Sequence, residues 1–370
     1  MSGPERAMRA PYMEWAKTRS RARFNLAISG VVSVPLAEFP LASGDLELTG
    51  PGGYGYAPLL ERLARHVGVP SDCIVPAFGT SMANHLAMAA MIERGDEVLI
   101  EQPVYGPLLD VASYLGARVK RIARRAEEGF ALDAEELARA VTSETRVIIL
   151  TNLHNPTSAP ISEETLRTIG ASAQRVGARV LVDEAYREAV FDASAPSAFT
   201  VGEQLGGKNP FVVTNSLTKI YGLSGLRCGW IVAAPALARR MWLLHDLFAA
   251  NAAHPAERLS TIAFDHLAQF GERARALLST NRPLVDEFLD SRADLECYRP
   301  AHGTVVFPRL KSGDPEKLFA LLREKYETTV VPGRFFEMPQ HFRLGFSGNT
   351  EELRGGLERL GAALDEIARG

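Results

Sequence analysis

Cysteine is scarce in this chain of 370 residues: Cys73, Cys228 and Cys297 are its only three and stand far apart. Such spacing excludes a disulfide framework and offers no CxxC pair to hold zinc, which fits a reducing cytoplasm. Long apolar runs are missing too. No stretch approaches the roughly 18 uninterrupted apolar residues of a membrane span, and residues 1–17 lack the apolar core of an export signal. Neither a membrane nor export is expected. Charge of one sign is also absent, since 41 Lys and Arg oppose 44 Asp and Glu for a net charge of -3. The densest cationic stretch, residues 118–125, is interrupted by Val119, Ile122 and Ala123. It reads as a strand with solvated ends, and nucleic acid is not an expected partner.

What is present suits a globular protein: 46% hydrophobic and 23% charged residues. The length exceeds one ordinary domain of roughly 100–200 residues, so a large domain and a smaller one are expected. Short apolar runs recur at residues 73–78, 97–101, 118–123, 146–151, 179–183, 211–215 and 229–234. Apolarity without alternation marks strands buried on both faces. Helical segments alternate with several of them, at 81–93, 134–141 and 162–176. Asp133 and Ser162 stand before acidic first turns as capping residues. The fold class is therefore α/β, a mostly parallel seven-stranded sheet sandwiched by helices. After residue 235 come long helical stretches, then strands at 304–309, 328–331 and 342–346 with helices at 315–326 and 351–368, a smaller α+β domain.

One stretch concentrates chemistry. Lys219 lies just beyond a buried strand in a glycine-rich loop, three residues after Ser216 and eight before Arg227. Ser216 and Arg227 can reach a phosphate there, and a lysine withdrawn from bulk water can act as a nucleophile. The SxxK spacing of Ser216 to Lys219 also occurs in penicillin-recognising serine enzymes, but their SDN and KTG companions are absent. Asp183 ends an apolar strand, where parallel sheets bind ligands. Beside a pyridine ring it would pair with the ring nitrogen, and Tyr186, three residues on, could donate to a ring hydroxylate. Alone, Asp183 reads equally well as a helix cap. Asn155, in the turn Asn155-Pro156-Thr157, offers an amide donor to the same hydroxylate. Gly79, Thr80 and Ser81 join a strand to a helix, where free backbone amides suit a phosphate; Ser81 could also be a simple cap. Tyr105 follows the next strand and is placed to stack on a flat ring. Gly50, Gly52 and Gly55 formally fit GxGxxG, but no buried strand leads into them, so they read as a flexible loop carrying Tyr54 and Tyr56 rather than a dinucleotide site.

Assembled in this order, the motifs resemble the class I and II aminotransferases, the fold-type I pyridoxal-phosphate enzymes. The matches run from residue 79 to residue 346. The resemblance implies pyridoxal 5'-phosphate bound to Lys219 as a Schiff base, with Asp183 at the pyridine nitrogen and Asn155 and Tyr186 at the ring hydroxyl. It implies that Gly79, Thr80, Ser81, Ser216 and Arg227 hold the phosphate and that Tyr105 stacks on the ring. Arg343 looks like the arginine that grips a substrate's α-carboxylate, a task for a planar fork. The resemblance also implies a small domain built from both chain ends, 1–43 and 285–370, around a large domain at 44–284, with Gly30 near the substrate carboxylate. It implies a homodimer as well, in which Tyr54 or Tyr56 reaches the partner's phosphate, Tyr54 being preferred. Two departures stand out. Ser158 replaces the glycine of the family's Asn-Pro-Thr-Gly, and Tyr12 and Trp15 match no family role.

The implied reaction moves an amino group between an amino acid and a 2-oxo acid in the cytoplasm. Lys219 takes the α-proton and returns it to the cofactor. Elimination or cyclisation of an amino acid on the same scaffold is the nearest alternative. A noncatalytic cofactor-sensing regulator is disfavoured, because the residues before the large domain are too few and too weakly basic for a typical DNA-binding module.

Overall fold

The computed structural model describes residues 8–191 and 195–369. Residues 1–7 and 370 of the expected small domain, and 192–194 of the large one, lie outside the described residues.

Every apolar run expected as a strand forms one, β1 (Ile74–Phe78), β2 (Glu97–Gln102), β3 (Arg118–Ala123), β4 (Thr145–Thr151), β5 (Arg179–Asp183), β6 (Phe211–Ser216) and β7 (Cys228–Val232), but β3 is buried only at Ile122. They pair in the order β1-β7-β6-β5-β4-β2-β3. Only β7 is antiparallel to its neighbours; the remaining pairings are parallel. Six strands consequently direct their C-terminal ends to one edge. Phe78, Thr151, Asp183 and Ser216 end four of them there, which is where a sheet of this kind receives ligands. Helices cover both faces, and the interior splits into a cluster around Ile148, Val180 and Phe211 on one side and one around Val98, Ile149 and Ile231 on the other.

The expected caps are in place. Asp133 accepts hydrogen bonds from the amides of Glu135 and Glu136, and Ser162 accepts one from Thr165; each satisfies an otherwise free first-turn donor.

Outside the large sheet, the two ends of the chain meet. Strand Phe24–Asn25 runs parallel to Thr328–Thr329. Val305–Val306 and Val331–Pro332 flank Phe342–Gly345 in an antiparallel three-stranded sheet. Two segments expected as continuous strands are broken. Residues 304–309 split into Val305–Val306 and Arg309–Leu310, because Pro308 between them has no amide proton for a ladder. Residues 328–331 split because Thr328–Thr329 pairs with Phe24–Asn25, whereas Val331–Pro332 pairs with Phe342–Gly345.

The cationic stretch 118–125 needs correction at its far end. Arg118 and Lys120 on the edge strand β3 are exposed, as expected, but Arg124 is 2% exposed. It is buried because Glu101, at the end of neighbouring β2, supplies an ion-pair partner at 2.9 Å and the carbonyl of Phe130 accepts from its Nη1 at 3.1 Å.

Candidate active site

The sheet edge brings Lys219, Asp183, Tyr186, Asn155, Tyr105, Thr80, Ser81 and Arg227 around one cavity of about 190 Å³. Lys219 follows β6 and donates from Nζ to Ser29 Oγ at 2.9 Å, with its ammonium 5.6 Å from the Tyr186 ring centre. Asp183 is held on both oxygens: Asn84 Nδ2 donates to Oδ2 at 2.7 Å and the Ala185 amide to Oδ1 at 3.0 Å. No α-helix starts at Asp183, so the capping alternative falls away. Burial pushes its carboxyl above the ordinary aspartate range, opposed by the Asn84 and Ala185 bonds and by the charge of Lys219. A buried carboxylate of this kind calls for a cationic or proton-bearing partner in the cavity.

At one end the site is built for an anion. Helix Gly79–Met91 begins without a side-chain cap, so first-turn amides remain available to a ligand. The helix starts two residues earlier than expected; Ser81 lies inside the first turn and is not its cap. Gly79 has φ +74°, and a Cβ there would overlap the Arg227 guanidinium. Arg227 itself has φ +51° and donates to the carbonyls of Phe78 and Ser224 at 3.1 and 3.2 Å. Thr80 Oγ1 donates to Ser216 Oγ at 2.8 Å. Two hydroxyls, a guanidinium and open amides therefore converge at the mouth of one helix.

Arg343, 1% exposed, does not itself line the cavity but adjoins it through Asn155: it donates from Nη1 to Asn155 Oδ1 at 2.8 Å and from Nη2 to the Tyr12 hydroxyl at 3.0 Å. Asn155 is held in turn by its own amide, which donates to Thr151 Oγ1 at 3.0 Å. Gly30 packs on the backbone of the lysine loop: a Cβ there would stand 3.3 Å from the carbonyls of Thr218 and Lys219. In the turn after Asn155, Ser158 adopts φ +60°, the conformation a glycine would favour, and its Oγ donates to the Val305 carbonyl at 2.9 Å. The turn thereby gains an anchor in the small sheet that a glycine could not provide.

Tyr54 is not among the cavity residues. It is 45% exposed, donates to Asp246 at 3.0 Å and lies under the Arg239 guanidinium. Tyr56 is more enclosed, accepting from Arg258 Nη1 at 3.2 Å and meeting His254 edge to face. The glycine loop that carries them has positive φ at Gly52, Gly53 and Gly55. It borders a larger cavity of about 640 Å³ that touches Arg227 but contains neither Lys219 nor Asp183. The smaller cavity carries the chemistry.

Several site residues escaped the sequence reading. Asn84 sits one helical turn beyond Ser81, and that spacing alone could have marked it. Thr151 ends β4 and lines the cavity. Ser29 and Tyr12 arrive from the N-terminal segment, 190 and 331 positions from their partners Lys219 and Arg343, and no local pattern points to them.

An amine nucleophile, a buried carboxylate and an anion cradle in one cavity fit a phosphorylated pyridine aldehyde: Lys219 toward the aldehyde, Asp183 toward the ring nitrogen, and the Gly79–Ser81 turn with Ser216 and Arg227 toward the phosphate. Comparison with known proteins points to the same cofactor. The family model for aminotransferase class I and II matches residues 37–360. Capreomycidine synthase of Streptomyces vinaceus is 29% identical, over 100% of this chain and 97% of that protein. An aspartate aminotransferase of Streptomyces avermitilis is 26% identical, over 84% of this chain and 79% of its own length. The crystal structure of a pyridoxal-phosphate-dependent aminotransferase from Streptococcus suis superposes with a TM-score of 0.90 at 26% identity, covering 98% of this chain and 99% of that one. The chain belongs to the class I and II aminotransferases and is a pyridoxal-phosphate-dependent transaminase acting between amino acids and 2-oxo acids.

Proposed function

We propose that Lys219 is the catalytic base of this transaminase and that Arg343, with Asn155 bonded to it and Gly30 on the lysine loop, receives the α-carboxylate. The observation that carries this reading is the shared cavity, in which the Lys219 amino group and the buried Asp183 carboxyl face the same small volume. When bound, pyridoxal phosphate supplies an aldehyde carbon for the amino group and an electron sink for the α-carbon. Lys219 Nζ would take the proton from the α-carbon and return it at the carbon that carried the aldehyde, a role suited to an amine held by one hydroxyl, Ser29, at 2.9 Å. Asp183 keeps a proton at the ring nitrogen, while Tyr186 and Asn155 donate toward the ring oxygen. Tyr105 covers the ring face, and the Gly79–Ser81 turn, Ser216 and Arg227 neutralise the phosphate.

Borohydride reduction of the holoenzyme followed by peptide mass spectrometry tests the central assignment. A phosphopyridoxyl group on Lys219 is expected. An unmodified Lys219, or a label on another lysine, removes it.

A second reading, elimination or cyclisation of an amino acid on the same scaffold, is favoured by one observation. The crystal structure of the pyridoxal-phosphate-dependent cyclase OrfR superposes with a TM-score of 0.85 at 26% identity, covering 98% of this chain and 99% of that one. Incubation with a panel of amino acids and 2-oxo acids separates the two: a new amino acid marks transfer, whereas ammonia or a cyclic product without transfer marks the alternative.

The active unit in this reading is a homodimer in which Tyr54 of each chain serves the other's phosphate. Exposed Leu243, Leu247 and Phe248 on helix Pro235–Ala249, which Tyr54 joins through Asp246, support it. Three free cysteines support a reducing, cytoplasmic setting, and among the described residues no helix is long and apolar enough to cross a membrane. The meeting of both chain ends supports a small domain of 1–43 and 285–370 beside a large domain of 44–284.

A further inference from the structure

The helix Pro11–Thr18 contributes one buried side chain, Tyr12. That phenol lies against the guanidinium read above as the carboxylate receptor: its oxygen accepts from Arg343 Nη2 at 3.0 Å, and Arg343 stands 5.7 Å from its ring centre. Among the described residues Tyr12 donates its own hydroxyl proton to no group, whereas Arg343 Nε is buried without an acceptor. A guanidinium with five donors, an unfilled Nε and an adjacent phenol with a free proton forms an incomplete acceptor-seeking cluster. A carboxylate, with two oxygens and about four lone-pair sites, is the ligand that completes it.

The surroundings lead from this cluster to the cavity. Met13, the next residue on the helix, lines it, and so does Tyr105, which meets Tyr12 edge to face at 5.4 Å. Asn155, bonded to the same guanidinium, lines it as well. Burial alone would raise the Tyr12 phenol, yet the positive charges of Arg343 and Lys219 together with the Arg343 hydrogen bond outweigh it and bring the group below the ordinary tyrosine value. An acidified phenol is a stronger hydrogen-bond donor to an anion.

We propose that Tyr12 is a substrate-binding residue, its hydroxyl donating to the α-carboxylate that Arg343 grips, so that the N-terminal helix helps select amino acids over amines lacking the carboxylate. This rests on the assignment of Arg343 as the carboxylate receptor. Loss of one hydrogen bond to a charged group corresponds to about a tenfold change in affinity or more.

The test uses the holoenzyme and two unreactive amines, 2-methylalanine and tert-butylamine, which differ only in a methyl group where the first carries its carboxylate. Neither has an α-proton, so binding is read from the cofactor's visible absorbance without turnover. Tyr12→Phe is expected to weaken 2-methylalanine about tenfold and to leave tert-butylamine unchanged, the second titration reporting an intact site. If that variant does not fold, Tyr12→Leu is read by the same ratio. Unchanged or tighter binding of 2-methylalanine, with Arg343→Gln still abolishing the preference, overturns the role of Tyr12 alone. An unchanged preference in Arg343→Gln overturns the carboxylate assignment on which it rests.

Discussion

Glu101 and Arg124 form an ion pair 2.9 Å across with neither side chain exposed to solvent, and Glu101 joins it to Thr151 of the cavity wall. Glu101 Oε1 accepts from the amide of Thr151 at 2.7 Å and from its hydroxyl at 2.6 Å. With its proton committed there, Thr151 Oγ1 is left to accept from the Asn155 amide. Asn155 in turn meets Arg343. Burial pushes the Glu101 carboxyl up and the Arg124 guanidinium down, and each is the other's principal charge offset.

Breaking one side of such a pair leaves a buried charge without its partner and costs about 3–5 kcal/mol, whereas replacing both with apolar groups often costs little. Arg124→Met should therefore lower the thermal midpoint strongly, and the Glu101→Leu, Arg124→Met double variant should recover much of that loss. In the double variant Thr151 has lost the acceptor that oriented it, so KM for the amino acid should rise while the fold persists. Calorimetry beside steady-state kinetics reads both. A double variant as unstable as Arg124→Met, or with an unaltered KM, would contradict this account.

Gly79 is fixed by its neighbour rather than by the helix it starts. Its φ of +74° and the Arg227 guanidinium lying over it leave no room for a side chain. Gly79→Ala pays a left-handed backbone cost of roughly 1–2 kcal/mol and also displaces Arg227 from the anion cradle. Cofactor affinity should fall by about tenfold or more, since each 1.4 kcal/mol is a factor of about ten. Equilibrium dialysis against pyridoxal phosphate measures this; retention of wild-type affinity would mean that Arg227 does not bind the phosphate.

The contrast between Asp183 and Tyr12 explains how much of the site could be read in advance. Asp183, Ser216 and Thr151 end strands whose uninterrupted apolar runs are visible in the sequence, and the parallel arrangement carries all three to one edge. Six of the seven strands were legible for the same reason, burial leaving a local compositional trace, whereas the edge strand β3 is buried only at Ile122. Tyr12 and Ser29 have no such trace, because their partners are brought to them by long-range packing of the chain ends. Arg124 was misread for a related reason. A charged residue at a strand end is usually solvated, and only Glu101 on the neighbouring strand, beyond the reach of local pattern, makes its burial tolerable. The break at Val330 likewise reflects a choice of partners on two different sheets.

His341 gives the protein an acid limit separable from its chemistry. Its ring stacks on Phe307 at 4.9 Å, and burial, with the nearby charge of Arg309, lowers its pKa from the ordinary 6.5 to about 4. Because the folded value lies below the unfolded one, the unfolded chain binds the proton first as pH falls. Its contribution is present above about 6.5 and is lost progressively down to about 4. His341→Phe should flatten the stability profile across that window relative to wild type, as read by urea denaturation at successive pH values. An acid limb of undiminished slope would assign the proton uptake to other groups.

The proposed exchange of Tyr54 between subunits makes a prediction that a monomeric account cannot reproduce. Within its own chain Tyr54 is engaged by Asp246 and Arg239 on helix Pro235–Ala249 and stays outside the cavity of Lys219. If it serves the partner's phosphate, a Tyr54→Phe homodimer should bind pyridoxal phosphate about tenfold more weakly, the loss of one hydrogen bond to a charged group. A hybrid of one Tyr54→Phe chain and one Lys219→Ala chain then behaves differently. Its Lys219-bearing site receives Tyr54 from the other chain and should recover wild-type affinity, measured on hybrids separated by distinct affinity tags. Were Tyr54 to act within its own chain, that same site would carry the phenylalanine and remain weak. A hybrid as weak as the Tyr54→Phe homodimer, or a protein that sediments as a monomer at micromolar concentration, would end the proposal of a shared site.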